Sequence, residues 1–168
     1  RSSSAASDVY KRQALLLARL AINASCFEDA KAILEKITAM KPRFVAAWHD
    51  LGTVLKELNE HEEAVKVLTH AVGLDQHNAM SHYYLGAALA MAAKPEDAIA
   101  SYQKAVAIDP NLTGAHIGLG HVLGTVLLNL NRPDQAIPHL TRASELRPEH
   151  PPLLSKLSGA YSLSLIHI

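Results

Sequence analysis

The stretch "AMSHYYLGAALAMAAKPEDAIASYQKAVAIDPNL", residues 79–112, carries the pattern that decides the fold. Apolar side chains recur at helical spacing in both halves, which predicts one helix over about 80–91 and a second over about 96–108. Pro95 stands at the first position of the second helix, where its missing N–H costs nothing. Pro110 ends that helix, because the residue before a proline avoids the helical region.

The same phrase returns along the chain in steps of 34 residues. The recurring pairs are Leu51-Gly52, Leu85-Gly86 and Leu119-Gly120, and the recurring alanines are Ala30, Ala64 and Ala98. A glycine inside a helix costs about 1 kcal/mol relative to alanine, so we expect another helix backbone to pack closely against each one. A single helix pair cannot bury its apolar face, whereas stacked copies bury it against each other.

These residues resemble the tetratricopeptide repeat (TPR) family. The second repeat carries Trp48, Leu51, Gly52, Leu55, Ala64, Leu68 and Ala71, and the third carries Leu85, Gly86, Leu89, Ala98, Tyr102, Ala105 and Pro110. The first is looser, with Leu17, Ala18, Ala30, Leu34 and Pro42, and the partial fifth has Leu157, Ser158 and Tyr161. The resemblance implies an all-α fold, a right-handed α-solenoid of antiparallel helix pairs.

The repeats divide the chain, and the two ends stand apart from them. The predicted repeats cover about 11–44, 45–78, 79–112, 113–150 and, in part, 151–161. The segments "SDVYKRQ" (7–13) and "SLSLIHI" (162–168) resemble translated sequencing-adapter sequence. We therefore expect residues 1–13 to be an artefactual or disordered end, residues 162–168 to be a second artefactual end, and residues 14–161 to be an internal piece of a longer protein.

The fourth repeat holds four extra residues, because "LGHV" (119–122) is followed by "LGTV" (123–126). Counting forward from the third repeat makes Leu119-Gly120 the packing pair, and counting back from Ala136 makes it Leu123-Gly124. Four residues turn a helix by about 400°, only slightly more than one full turn. We expect one long helix over about 113–130, with a bulge or kink near Gly124 as the alternative, and we expect Pro138 to bend or open the next helix.

The glycines of this stretch do not form a phosphate loop. The spacing Gly118-x-Gly120-x-x-x-Gly124 is one residue too long for the dinucleotide fingerprint, and neither a buried strand nor a Lys-Ser/Thr pair accompanies it. No paired carboxylates or nucleophile constellation is legible either. The sequence therefore predicts neither an enzyme nor a bound cofactor.

Composition limits the partners. The formal net charge is +0, from 16 basic and 16 acidic side chains, so nothing attracts nucleic acid or an anionic membrane. No apolar run approaches the roughly 20 residues that cross a bilayer. Cys26 is the only cysteine, and no signal peptide is legible, so we expect a cytoplasmic location.

The histidines invite a metal site, but their arrangement argues against one. His82 and His116 share the repeat position of Trp48, one repeat apart, and have no cysteine or carboxylate at matching positions. Zinc sites need three or four such ligands together. The sequence therefore predicts buried structural histidines and no bound metal.

The resemblance implies a function, since the first helix of each TPR pair lines a concave groove. The residues expected to face it are His49, Asp50, Thr53, Lys56, Met80, Tyr83, Tyr84, Ala87, Met91, Gly114, Ile117 and His121. Tyrosine and methionine at a groove suit a peptide or a partner helix. The sequence thus predicts a non-catalytic protein-interaction scaffold.

Two further readings stay open. The array resembles TPR arms that precede sulfotransferase and glycosyltransferase domains in bacterial proteins, so the piece could belong to a larger enzyme. Apolar side chains at the end of the array, Leu153, Leu154 and Leu157, predict self-association through an end face.

Overall fold

The computed structural model describes residues 2–130, 133–146, 148 and 151–166. All the regular structure in those residues is helical, which confirms the all-α prediction. The α-helices are α1 (Ser2–Asn23), α2 (Phe27–Met40), α3 (Val45–Glu57), α4 (His61–Leu74), α5 (Ala79–Met91), α6 (Pro95–Ile108), α7 (Thr113–Leu130), α8 (Ala136–Leu146) and α9 (Pro151–Ile166), with a 3₁₀ turn at Pro133–Gln135.

The helices form two compact units, Arg1–Gln76 and His77–Ile168. In the first unit, α1 pairs with α2 and α3 pairs with α4, and α2 also packs on α3. In the second unit, α5 pairs with α6 and α7 pairs with α8, α6 packs on α7, and α9 packs on α8. Each unit is therefore built from the helix pairs that the repeat predicts.

The turn inside each of the first three pairs has the same backbone shape. Ser25, Asn59 and Ala93, spaced 34 residues apart, adopt left-handed φ angles of 60°, 62° and 56°. The next N–H then closes the end of the first helix, as in the 2.9 Å bond from Lys94 N to Leu89 O. Helices often end in this left-handed conformation, and glycine is the residue that usually adopts it. Here serine, asparagine and alanine adopt it instead.

The repeated glycines accept a large side chain from the second helix of their own pair. A Cβ built on Gly52 would lie 2.5 Å from Leu68 Cγ. The equivalent distances are 2.8 Å from Gly86 to Tyr102 Cδ1 and 2.8 Å from Gly120 to Leu140 Cδ2. The predicted close packing is thus confirmed, but a side chain fills the space where we expected a helix backbone.

In the fourth repeat, α7 absorbs the extra residues as one long helix, as predicted. The helix runs without a break from Thr113 to Leu130, and Gly120 is the glycine against Leu140. The packing pair is therefore Leu119-Gly120, as counted forward from the third repeat. Since α3 and α5 end five residues after their glycines and α7 ends ten residues after Gly120, the added turn lies at the C-terminal end of α7.

Pro138 opens the following helix, which confirms that prediction. The second helices of the first three pairs begin three residues before the repeated alanine, whereas α8 begins at the equivalent alanine itself, Ala136. The three residues before it, Pro133–Gln135, form a 3₁₀ turn. Pro138 has no N–H to donate to the carbonyl four residues earlier, so a regular helix cannot extend that far back.

The ends of the chain are helical where the structure describes them. Helix α1 takes in residues 2–13, and the expectation that this segment is an artefactual or disordered end stays a prediction. On α9, Leu154 is exposed and Leu157 is half-buried, while the side chain of Leu153 lies outside the described residues. No helix among the described residues has both the length and the apolar character of a membrane span.

We predict that alanine has opposite effects at two glycines of the first unit. Gly52→Ala forces a methyl group into the buried Leu68 side chain and should destabilise the protein by about 1–3 kcal/mol, less the small helix-propensity gain. Gly73→Ala should stabilise it by up to about 1 kcal/mol, because its added Cβ would have no described atom within 4 Å beyond its chain neighbours and the backbone of its own helix. Urea unfolding of both variants measures this, and effects of equal sign would contradict the packing described above.

A second prediction concerns the turn between α5 and α6. Ala93→Gly should raise the free energy of unfolding by about 1 kcal/mol, because glycine adopts the left-handed conformation that strains alanine. Its neighbour Ala92 has an ordinary φ of −78°, so Ala92→Gly should lower the same quantity by about 0.5–1 kcal/mol. Thermal unfolding of the pair tests this, and a destabilised Ala93→Gly protein would be the contrary result.

Candidate functional site

A groove lies between α5 and α7 in the second unit, with α6 forming part of its wall. The cavity there has a volume of ≈ 540 Å³. Its lining residues are Ala87, Ala90, Met91, Ala93, Pro95, Tyr102, His121, Val122, Thr125 and Val126. None of them is Asp, Glu, Lys or Arg, so the groove offers an apolar surface with a few uncharged polar atoms.

Helical spacing brings these side chains to the groove. On α5, Ala87 and Met91 are four residues apart, and on α7, His121 and Thr125 are also four apart, so each pair lies on one helix face. The Met91 side chain is 49% exposed, and alanine at the neighbouring positions of α5 leaves space beside it. A flexible, exposed methionine in such a place adapts to the shape of an apolar partner.

Tyr102 forms the inner wall of the groove. Its ring lies against both Gly86 of α5 and Gly118 of α7, where any added Cβ would collide with it. Burial, and to a lesser degree the neighbouring Tyr83, raises the pKa of Tyr102 well above its ordinary value. The phenol therefore keeps its proton, and glycine at both contact points lets one aromatic ring separate two helices.

The remaining predicted residues of this unit lie beside the cavity. The Tyr83 ring covers Gly114, with Cε2 at 2.9 Å from a Cβ built there, and its centroid lies 5.3 Å from that of Tyr84. Of the predicted groove residues, Ala87, Met91 and His121 line the cavity, whereas Met80, Tyr83, Tyr84 and Ile117 do not. Met80 is 37% exposed.

Helix α7 also forms a wall of a second cavity, of ≈ 240 Å³, toward α8 and α9. His121 and Thr125 line both cavities, since they lie on α7 between α5 and α9. Lys156 of α9 lines this second cavity, and burial lowers the pKa of its ammonium group. The lining is otherwise uncharged: Pro133, Ala136, Leu140, Ser155, Gly159, Ala160 and Leu163.

In the first unit, the four predicted groove residues lie along α3 and are half-buried. The Asp50 carboxylate accepts a 2.7 Å hydrogen bond from Arg19 Nε of α1, and the Thr53 hydroxyl donates to the His49 carbonyl of its own helix. Burial lowers the pKa of His49 below its ordinary value, partly opposed by the carboxylate of Asp50. Lys56 completes this set, and the assignment of these side chains to a binding groove stays a prediction.

The histidines at the Trp48 position are buried, as predicted. His82 is 6% exposed and His116 is 5% exposed. Trp48 Nε1 donates to the Pro42 carbonyl at 2.8 Å, and His116 Nε2 makes the equivalent 2.9 Å bond to the Pro110 carbonyl. Among the described residues, no three His, Cys, Asp or Glu side chains gather into a group that could hold a metal ion.

Comparison with known families identifies this architecture. Profiles of the tetratricopeptide repeat match residues 15–79, 49–112 and 121–150. The chain belongs to the tetratricopeptide repeat family. The matches do not cover residues 113–120. That segment ends with Leu119-Gly120, the start of the first copy of the duplicated phrase. No curated protein matches the chain.

Solved structures of other TPR proteins share the fold. The MamA protein superposes with a TM-score of 0.78 at 21% identity, over 92% of this chain and 82% of its own. The PilF protein of Pseudomonas aeruginosa gives 0.79 at 21% identity, over 91% of this chain and 68% of its own. YrrB, described as a TPR protein with an unusual peptide-binding site, gives 0.71 at 22% identity, over 90% and 76%. These similarities confirm the fold class, an all-α solenoid of antiparallel helix pairs.

Proposed function

We propose that this TPR protein is a non-catalytic interaction scaffold that binds a peptide or a partner helix in the groove between α5 and α7. The observation that carries the proposal is the ≈ 540 Å³ cavity with no Asp, Glu, Lys or Arg in its lining. Its volume lies within the range of sites that bury apolar ligand groups. TPR proteins bind other proteins as a class, and the similar protein YrrB is described as peptide-binding.

The lining indicates what kind of side chain the partner inserts. An ionised group would lose its hydration in this groove and find no opposite charge, which is strongly unfavourable. An aliphatic or aromatic side chain would instead contact Met91, Val122 and Val126 and exclude water from them. The Thr125 hydroxyl donates to the His121 carbonyl of its own helix, so its oxygen can accept a hydrogen bond from the partner's backbone, and the His121 ring lies at the same wall. The proposed partner therefore presents an apolar anchor flanked by polar backbone groups.

The test uses two matched substitutions on exposed apolar residues of the second unit. Met91→Glu places a carboxylate in the groove, and Ile108→Glu places one at the end of α6, outside the cavity lining. Ile108 is 39% exposed, so both variants should keep the wild-type circular dichroism. Peptides selected from a displayed random library against the wild-type protein should bind Met91→Glu at least about tenfold more weakly, as expected for an anchor contact, and bind Ile108→Glu nearly unchanged.

Two results would overturn this proposal. One is a set of selected peptides whose affinity for Met91→Glu equals that for the wild-type protein. The other is a library screen from which no peptide with an apolar anchor emerges.

A further inference from the structure

The ≈ 240 Å³ cavity between α7, α8 and α9 has two parts of different chemistry. Its inner wall is apolar and buried, since Ala136 is 0% exposed, Leu140 is 1% exposed and Ala160 is 8% exposed. Its outer edge is polar and exposed, with His121 on α7 and Lys156 on α9. The cavity is therefore amphipathic, with an apolar interior and a polar edge.

The polar edge carries a cation that no described carboxylate pairs with. Lys156 is the only Asp, Glu, Lys or Arg side chain in the described lining. Burial lowers the pKa of its ammonium group, and no neighbouring carboxylate opposes that effect. Asp134, the acid of the adjacent 3₁₀ turn, instead accepts a 3.2 Å hydrogen bond from the Ser164 hydroxyl. A partly desolvated cation in this position is stabilised by an anion that binds beside it.

Two hydrogen-bond donors accompany the ammonium group. Ser155 brings a hydroxyl to the cavity lining, and His121 brings an imidazole N–H. Thr125, which also lines the cavity, already donates its hydroxyl to the His121 carbonyl. The edge thus offers one positive charge and two neutral donors, which matches the two acceptor oxygens of one carboxylate.

We propose that this cavity binds a small aliphatic carboxylate, with its chain against the apolar inner wall and its carboxylate group beside Lys156. A neutral chain would leave the ammonium group without a counter-charge, and a doubly charged phosphate would face only one cation. The proposal does not rest on the peptide groove, because the inner wall of this cavity is formed by residues of α8 and α9.

The volume of the cavity indicates the length of the chain. One water takes up about 30 Å³ in the liquid, and a methylene group is of similar size. The ≈ 240 Å³ of the cavity therefore corresponds to a chain of about eight carbons. Octanoate is the probe that this estimate selects, and butanoate and hexanoate are shorter members of the same series.

The experiment measures the binding of these three carboxylates to the full chain by isothermal titration, with octanol as a neutral chain of matched length. Lys156→Met removes the charge at the cavity edge. Lys104→Met removes a lysine from α6, outside the cavity lining, and is the matched control. Both lysines are exposed, so both variants should keep the wild-type circular dichroism.

One octanoate should bind each wild-type chain, and affinity should rise about fourfold for each methylene added from butanoate to octanoate. Octanol, and octanoate with Lys156→Met, should both bind at least about tenfold more weakly, as expected when a charged partner is removed. Lys104→Met should bind octanoate unchanged. In NMR spectra, octanoate should shift the amide signals of Ala136 and Ala160.

Three results would overturn the proposal. They are no binding of octanoate by the wild-type protein, equal affinity of Lys156→Met and wild type, and amide shifts at Ala87 and Met91 in place of Ala136 and Ala160. Met91→Glu should leave octanoate binding unchanged, so a failure of this proposal can be told apart from a failure of the peptide groove.

Discussion

The structure depends on one contact that three of the four helix pairs repeat: a large side chain of the second helix fills the space above a glycine of the first. Gly52 accepts Leu68, Gly86 accepts Tyr102, and Gly120 accepts Leu140. Those side chains are almost fully buried, at 0%, 4% and 1% exposure. Glycine carries an intrinsic penalty in a helix, and the close approach that it permits offsets that penalty through dispersion contacts and excluded water.

This contact explains how the fourth repeat tolerates four extra residues. Gly120 lies before the second copy of the duplicated phrase, so α7 reaches the contact with Leu140 in the same register as the other pairs. The added residues then extend α7 beyond that contact, where no repeated partner is displaced. Val126, which lines the groove beside α5, lies beyond the point where α3 and α5 end, so the added turn contributes one residue to the wall of the proposed binding site.

The sequence predicted the features that follow from periodicity and missed those that depend on individual neighbours. The 34-residue step predicted the helix pairs. Because four residues turn a helix only slightly more than once, the insertion predicted the unbroken α7. The left-handed turns at Ser25, Asn59 and Ala93 were not predicted, because glycine, the usual residue of such a turn, is absent from all three positions.

Tyr102 was recognised only as a core residue, because its second contact, with Gly118, comes from the following helix pair. Among the groove residues, the helix face could be predicted, but the cavity itself could not, because it depends on which side chains, such as Tyr83 over Gly114, already fill the space.

The most direct test of this account is a nuclear Overhauser measurement on protein with labelled leucine methyl groups and glycine. The account predicts cross-peaks from the α-protons of Gly120 to the δ-methyl groups of Leu140, matching those from Gly52 to Leu68. Cross-peaks from Leu140 to Gly124 in place of Gly120 would show that the backward count sets the register. That result would contradict the position of the added turn. It would also contradict the contact between Gly120 and Leu140.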